Sequence, residues 1–276
     1  MIGFAQLVLG PIYHLLHHLL ATTSRFFVVE CGLQVHKMAS SYVFDGKIIR
    51  ELRNRVASWW MKRVVIDGPD GWSRCELNPM VLLGFFYPLR LKSGYVLRAY
   101  QYRNCASGYG MVWALPTDAE FPEPAPTSPG EPPKPAGALD DPLQVVYGDG
   151  SPWSYLCASL FARELGDFAG FGSGLTWSTH LVLDGDPWSN KNNFAHALAG
   201  QGFSDNPLGW HWHGSRPRDW RPAVMIGDGA TCVRFYTFTG FGQQRINYFE
   251  DLYRPDSLVF KRSETIIAAG PQGIPW

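Results

Sequence analysis

The chain has 276 residues, of which 46% are hydrophobic, so it can bury a core as one large domain or two modest ones. Its 24 basic residues balance its 24 acidic residues, so we expect no nucleic-acid partner and no general attraction to an anionic membrane. The five cysteines have long spacings and form no Cys-x-x-Cys motif, which indicates neither a disulfide framework nor a zinc knuckle.

Residues 1–24 contain no charged side chain and are almost entirely apolar. About 20 apolar residues span a bilayer, but a Gly-Pro pair interrupts this run. Three histidines, costly in hydrocarbon, also fit one face of a short amphipathic helix: His14, His17 and His18. We interpret residues 1–37 as an apolar leader, accessory to the protein or non-native if translation begins at Met38. We expect membrane association only if the leader is native, and otherwise a cytoplasmic protein.

The next segment, residues 38–120, predicts a helix followed by a β-meander. Asp45 is a suitable N-cap for apolar residues at helical spacing: Ile48, Ile49, Leu52, Val56, Trp59 and Trp60. Three strand-like runs follow, separated by Gly-containing turns: residues 80–91, 94–103 and 110–116. In the second run, alternation predicts one polar and aromatic face that is suited to contact a ligand: Val96, Arg98, Tyr100 and Tyr102.

Residues 121–135 carry seven prolines in fifteen residues, so their backbone must be extended and lacks donors for a helix or a sheet. We interpret residues 121–140 as a linker between the segments 38–120 and 141–276. A polyproline-like stretch also suits an SH3-type partner, so residues 121–135 and the leader 1–37 are the predicted contacts for a protein partner.

In the segment 141–276, Ser151 is a helix N-cap and Pro152 takes the first helical position. The expected buried stripe of this helix is Trp153, Leu156, Leu160, Phe161 and Leu165. A strand over 173–183 follows, then a short helix over 191–200 that ends at Gly200, where a left-handed cap is expected. Four antiparallel strands come last: 222–229, 231–240, 243–249 and 257–270. The pattern predicts an α+β fold, mainly antiparallel sheet with a few helices packed on it.

The stretch "LGWHWHGS", residues 208–215, places two histidines one residue apart. In a strand, His211 and His213 project from one face, where they are close enough to share a metal ion. A catalytic zinc usually has three protein ligands, and His180 in the predicted strand 173–183 is our candidate for the third. The alternative is that each histidine makes ordinary hydrogen bonds at the edge of the core.

Two carboxylates complete this hypothesis, because Asp184 and Asp186 follow the predicted strand directly and either one suits a general base. Local capping of the turn is the alternative for both. The predicted ligand-binding residues around the histidines are Trp177, Ser178, Trp210, Trp212 and Arg216. The tryptophan rings would form flat walls of the cleft, Ser178 would offer a hydroxyl, and Arg216 would bind a carboxylate or phosphate of the ligand.

Three functions are open on this evidence. The leading one is a soluble protein that binds a small ligand in an aromatic, histidine-lined cleft of the segment 141–276. The second is a metal-dependent hydrolase in which His180, His211 and His213 hold a divalent transition metal such as zinc, with a metal-bound water as nucleophile. The third is a non-catalytic interaction or assembly protein, and the sequence leaves open whether any reaction is catalysed.

Overall fold

The computed structural model describes residues 27–31, 34–60, 63, 68–105, 107–124, 131–172, 175–189 and 194–275. The first 26 residues of the predicted leader lie outside this part of the chain. The described remainder of the leader forms β1 and the beginning of β2.

Thirteen strands and four α-helices follow one another along the described residues. The strands are β1 Phe27–Cys31, β2 Gln34–Val43, β3 Gly71–Arg74, β4 Arg90–Leu91, β5 Tyr95–Asn104, β6 Ser107–Pro116, β7 Val146–Tyr147, β8 Leu181–Leu183, β9 His211–Trp212, β10 Ala223–Gly227, β11 Ala230–Thr239, β12 Gln243–Tyr253 and β13 Phe260–Gln272. The helices are α1 Gly46–Trp60, α2 Pro79–Phe85, α3 Pro152–Gly166 and α4 Ala195–Gly200.

The strands form a large sheet and a small one. The order in the large sheet is β1-β2-β10-β11-β12-β13-β9, and β8 pairs with β11 beyond the end of β10. The small sheet has the order β3-β5-β6, and β4 pairs with β7 separately. Each of these strand pairs is antiparallel. The predicted α+β class with mainly antiparallel sheet is confirmed.

Both long helices begin where their capping residues predict. The Asp45 carboxylate accepts the backbone N–H of Lys47 at the start of α1 (2.8 Å), and the Ser151 hydroxyl accepts the N–H of Ser154 at the start of α3 (3.2 Å). The predicted apolar stripe is too narrow for α3, because that helix is buried on nearly all sides. Its buried residues include Arg163 and Glu164.

The run at residues 80–91 is not the first strand of a meander, and that prediction is wrong. Asn78 caps a helix there, since its side chain accepts the N–H of Met80 (3.0 Å), and Pro79 takes the first turn. Helix α2 therefore takes the first half of the apolar run, and within the run only Arg90–Leu91 is a strand. The other two runs form the hairpin β5–β6 as predicted.

The strand predicted at residues 173–183 is also mostly wrong. Only Leu181–Leu183 pairs with the sheet, while Trp177–Thr179 is a single 3-10 turn. The Asp167 carboxylate accepts hydrogen bonds from the backbone N–H groups of Thr176 (3.0 Å) and Ser178 (2.6 Å). These N–H groups are therefore not available for hydrogen bonds to a neighbouring strand. Farther along, the left-handed residue after α4 is Gly202 (φ 70) and not the predicted Gly200.

The main core lies between the two sheets and surrounds α3. It combines buried side chains from both sides of the Pro-rich stretch, among them Ile49, Leu97, Leu156, Phe161 and Phe235. The register of β2 against β10 joins the same two segments through backbone hydrogen bonds. A second cluster covers the other face of the large sheet, and aromatic rings dominate it, including Phe194, Trp210, Trp220 and Phe238.

No helix within the described ranges is both long enough and apolar enough to cross a membrane.

Candidate functional site

His180 lies between α3 and the inner face of the large sheet. Its Nδ1 hydrogen bonds with the Thr237 hydroxyl (2.8 Å), and its ring stacks on Trp177 with centroids 5.4 Å apart. Burial, reinforced by the positive charge of Arg53, lowers the pKa of His180 from its ordinary 6.5 to about 4. The imidazole is therefore neutral at physiological pH and serves as a hydrogen-bonding group at the edge of the main core.

Charged side chains around His180 neutralise one another. The Arg53 guanidinium donates to Glu164 (2.9 Å) and to the carbonyl of Trp177 (2.8 Å), while Trp177 Nε1 donates to the same carboxylate (2.8 Å). A second pair, Arg163 with Asp251, is bidentate at 2.6 and 2.9 Å. These groups hold α1 and α3 to the sheet, and removing one partner would leave a buried charge unpaired.

The two aspartates predicted as general bases are both held by arginines. Asp184 forms an ion pair with Arg50 (3.1 Å) that is largely buried. Asp186 accepts the N–H of Trp188 (3.1 Å) and also pairs with Arg216. These contacts correspond to the local structural role that the sequence left open, and they place neither carboxylate beside His180.

The predicted ligand-binding tryptophans lie on opposite faces of the large sheet. Trp177 belongs to the core between the sheets, whereas Trp210 and Trp212 lie in the aromatic cluster on the other face. Trp210 is buried and its Nε1 donates to the carbonyl of Ser204 (3.1 Å). Arg216 stacks over Trp188 at 4.7 Å. The predicted set is therefore divided between two layers.

Ser178 lies beside Trp177 in the 3-10 turn, and its backbone N–H donates to Asp167 (2.6 Å). Its neighbour Trp177 is separated from Trp210 and Trp212 by the sheet. The five predicted ligand-binding residues do not line one cleft.

The structure brings His211 and His213 to each other, with ring centroids 5.0 Å apart, but not to His180. Asn247 on β12, which approaches His180 Nδ1 at 3.5 Å, is separated from β9 by β13. Two strand spacings correspond to roughly 10 Å, whereas ligands to a shared ion lie about 2 Å from it. No group of three or more His, Cys, Asp or Glu side chains suited to one ion occurs among the described residues.

A different hollow lies on the outer face of the small sheet. We call it the β5 hollow, and it has a volume of about 380 Å³. Its lining comes from the end of β3 and the loop that leads into α2, from β5, and from the end of β6 and the segment after it: Arg74, Cys75, Glu76, Leu77, Asn78, Pro79, Val96, Arg98, Ala99, Leu115, Thr117, Ala119 and Phe121. The sequence had indicated part of this surface, because Val96 and Arg98 belong to the predicted ligand-contacting face of β5.

The other half of that predicted face is core. Tyr100 and Tyr102 are buried beside Trp72 and Trp113. Phe121 stacks on Tyr100 with centroids 4.4 Å apart, and the Tyr100 hydroxyl donates to the carbonyl of Pro122 (2.7 Å). The start of the Pro-rich stretch therefore covers the tyrosines and forms one wall of the hollow.

Two guanidinium groups face the β5 hollow. Arg74 pairs with Tyr100 across the β3–β5 ladder, and Arg98 lies two residues before Tyr100 on the same face, so the two arginines are diagonal neighbours. Diagonal Cβ atoms lie about 7–8 Å apart, which allows long side chains to converge. Arg74 forms an exposed ion pair with Glu123 (3.4 Å). Arg98 is exposed and forms no ion pair within the described part of the chain.

Cys75 contributes a thiol to the hollow, but a protonated one. Burial raises the pKa of Cys75 to about 11. Because the thiolate and not the thiol is the nucleophile, Cys75 is suited to packing and not to covalent chemistry at neutral pH.

Sequence reasoning missed Arg74, Glu76, Asn78 and Phe121. Arg74 ends the four-residue strand β3, Glu76 and Asn78 lie in the loop after it, and Phe121 lies in the Pro-rich stretch, so no periodic pattern shows which way these side chains face. The β3–β5 register places Arg74, and the contact with Tyr100 places Phe121, near Arg98, while Glu76 and Asn78 line the same hollow.

Comparison with protein-family models, with curated proteins and with solved structures found no significant match to this chain.

Proposed function

We propose that the protein binds a small organic anion, a carboxylate or phosphate attached to a flat apolar group, in the β5 hollow. The observation that carries this proposal is the guanidinium of Arg98, which forms no ion pair among the described residues, beside that of Arg74 in a concave site. Guanidinium groups bind carboxylate and phosphate oxygens through charge-assisted hydrogen bonds, often two at a time.

The remaining lining supports an apolar group on the ligand. Phe121 and Val96 are half-buried apolar side chains next to the arginines, Leu115 is buried behind them, and Glu76, Asn78 and Thr117 make the rest of the lining polar. Binding sites for small molecules typically have volumes of about 300–1,000 Å³, apolar walls and a few convergent polar groups. The hollow lies at the small end of this range, which suits a ligand the size of a substituted benzene ring.

The proposal keeps the small-ligand-binding function predicted from the sequence and moves its location. The histidine-lined cleft has no support from the positions of His180, His211 and His213, and neither has the three-histidine hydrolase. The hollow supplies recognition groups, so binding is the function we assign. The partner hypothesis for residues 1–37 and 121–135 stays a prediction.

We also propose a reducing, cytoplasmic location. Cys75, Cys105 and Cys157 form no disulfide among the described residues, and Cys157 is buried. Unpaired buried thiols are typical of proteins that fold where disulfides do not persist.

Calorimetric titration of the full chain with phenyl phosphate and with benzoate tests the binding proposal. We expect saturable binding of both anions, weakened by added salt, and none of benzyl alcohol, which has the ring without the charge. Arg98→Met should weaken binding at least about tenfold, the usual cost of a hydrogen bond to a charged group. Arg218→Met, which removes an exposed arginine after β9, is the matched control. Equal binding by the Arg98→Met protein, or no anion binding, would refute the proposal.

A further inference from the structure

The edge strand β9 presents two histidines that the proposed function does not use. β9 pairs with β13 at Ala268 and Ala269, and the backbone N–H of His213 donates to the carbonyl of Ile267 (2.9 Å). This pairing extends the strand geometry beyond His211, so both imidazoles project from the same face of the sheet.

The backbone between the two histidines is anchored. Trp212 points to the other face, where its ring contacts those of Trp188 and Trp220 with centroids 5.7 and 6.3 Å away. The two histidine side chains themselves are exposed. Because the strand is held by Trp212, the spacing and direction of the two Cα–Cβ bonds are set before any ion arrives, so binding must order only the two side chains, which limits its entropic cost.

We propose that His211 and His213 chelate one divalent transition-metal ion, Cu²⁺, Ni²⁺ or Zn²⁺, at this edge of the large sheet.

The ring separation fits a chelate. A ring centroid lies about 1.1 Å behind its ligating nitrogen, so for a metal–nitrogen bond of about 2.1 Å each centroid is about 3.2 Å from the ion. Ligand angles between about 90° and 109° then place the two centroids about 4.5–5.2 Å apart. The observed separation of 5.0 Å lies within this interval.

The surroundings leave room for the ion. Ala269 faces His211 across the ladder, so the side chain opposite His211 is a single methyl group. The register places Arg245 next to Ala269, two strands from β9 or roughly 10 Å, where it is exposed and screened by solvent. Water would complete the coordination shell, as it does for ions held by few protein ligands.

Histidines elsewhere in the chain must be removed before the site is measured. His14, His17 and His18 have helical spacing and can bind metal themselves, so the parent protein for the test is the full chain with all three changed to Gln. This parent is titrated with ZnCl₂ and with NiCl₂ in a calorimeter. We expect one ion per chain.

Single variants in this parent assign the site. His211→Gln and His213→Gln should each weaken binding about 100-fold, because a two-point attachment becomes a single one. His196→Gln, which removes an exposed histidine in α4, is the matched control and should bind like the parent. All four proteins should have the same thermal midpoint, since the changed side chains are exposed.

Three results would overturn the proposal. The first is the absence of saturable binding in the parent. The second is unchanged affinity in both His211→Gln and His213→Gln. The third is one ion per two chains with a metal-dependent dimer in sedimentation, which would place the ion between copies. Because phenyl phosphate binding is measured on the same proteins, failure of this site is distinguishable from failure of the β5 hollow.

Discussion

Glu123 forms an ion pair with the guanidinium of Arg74, the group that an anionic ligand in the β5 hollow would also bind. Both side chains of the pair are exposed, Arg74 by 48% and Glu123 by 62%, so solvent weakens their attraction. An incoming phosphate therefore competes with a weak internal partner, and Glu123 lowers the affinity of the hollow without closing it.

We predict that Glu123→Gln tightens the binding of phenyl phosphate about two- to fivefold, the range expected when an exposed ion pair no longer competes. Calorimetric titration measures the change. Glu131→Gln removes the same charge from an exposed position outside the hollow and should leave the affinity unchanged. An equal gain in both variants would mean that net charge alone is responsible.

His180 couples stability to pH. Its folded-state pKa of about 4 is below the ordinary value of 6.5, so the unfolded chain binds a proton between these values and the folded chain does not. The free energy of unfolding therefore contains a contribution that is complete above about pH 6.5 and is lost as the pH falls toward 4.

We predict that the wild-type protein loses on the order of 2–3 kcal/mol more than His180→Asn between pH 7 and about 4.5. Urea denaturation at the two pH values measures the free energies of unfolding. The comparison uses the difference between pH values, so the destabilisation caused by the substitution cancels. His196→Gln should behave like the wild type, and a His180→Asn protein with the full wild-type loss would contradict the assignment.

Close backbone approaches connect α4 to the end of β11. A Cβ added to Gly240 would lie 1.8 Å from the carbonyl oxygen of Gln201, just after α4. The carbonyl oxygen of Gly240 in turn lies 2.0 Å from the position of a Cβ on Gly273. These glycines are required because backbone, unlike the end of a flexible side chain, cannot move aside.

We predict that Gly240→Ala lowers the free energy of unfolding by about 2–3 kcal/mol, the cost of forcing an extra carbon into a packed site. Gly214→Ala is the matched control, because nothing lies within 4 Å of its added Cβ, and it should change stability by less than about 0.5 kcal/mol. Urea denaturation of both variants gives the comparison. A Gly240→Ala protein as stable as the control would show that the segment after α4 can shift.

Capping explains which elements were predictable. Asp45 and Ser151 cap α1 and α3 within three residues of sequence, and both helices begin where expected. Asn78 and Pro79 carry a similar signal for α2, but the apolar run after them resembled a strand. The turn at Trp177–Thr179 depends on the carboxylate of Asp167, about ten residues earlier, which no local pattern reveals.

The described residues on the two sides of the Pro-rich stretch share one main core. Leu97 in β5 and Phe235 in β11 belong to the same buried cluster, although the Pro-rich stretch separates them in sequence. β2 and β10 are hydrogen-bonded neighbours across the same division. Loss of packing on either side therefore exposes apolar surface on the other.

We predict a single cooperative unfolding transition, with the same midpoint by tryptophan fluorescence and by far-ultraviolet circular dichroism. Leu97→Ala and Phe235→Ala should each lower the midpoint of both signals together, with a cost of about 2–5 kcal/mol for a buried truncation. Separate transitions, or a shift of only one signal in Leu97→Ala, would show instead that residues 38–120 and 141–276 unfold independently.

The sequence alone predicted the α+β class, the two long helices and the strands of the last third, because capping and apolar spacing act over a few residues and leave a readable pattern. It also indicated Arg98 as a surface residue suited to a ligand. Only the tertiary structure placed Arg74 and Phe121 beside Arg98, and only it separated His180 from His211 and His213. These relations depend on strand register and order, which follow from the free energy of the whole packed chain and not from neighbours in sequence.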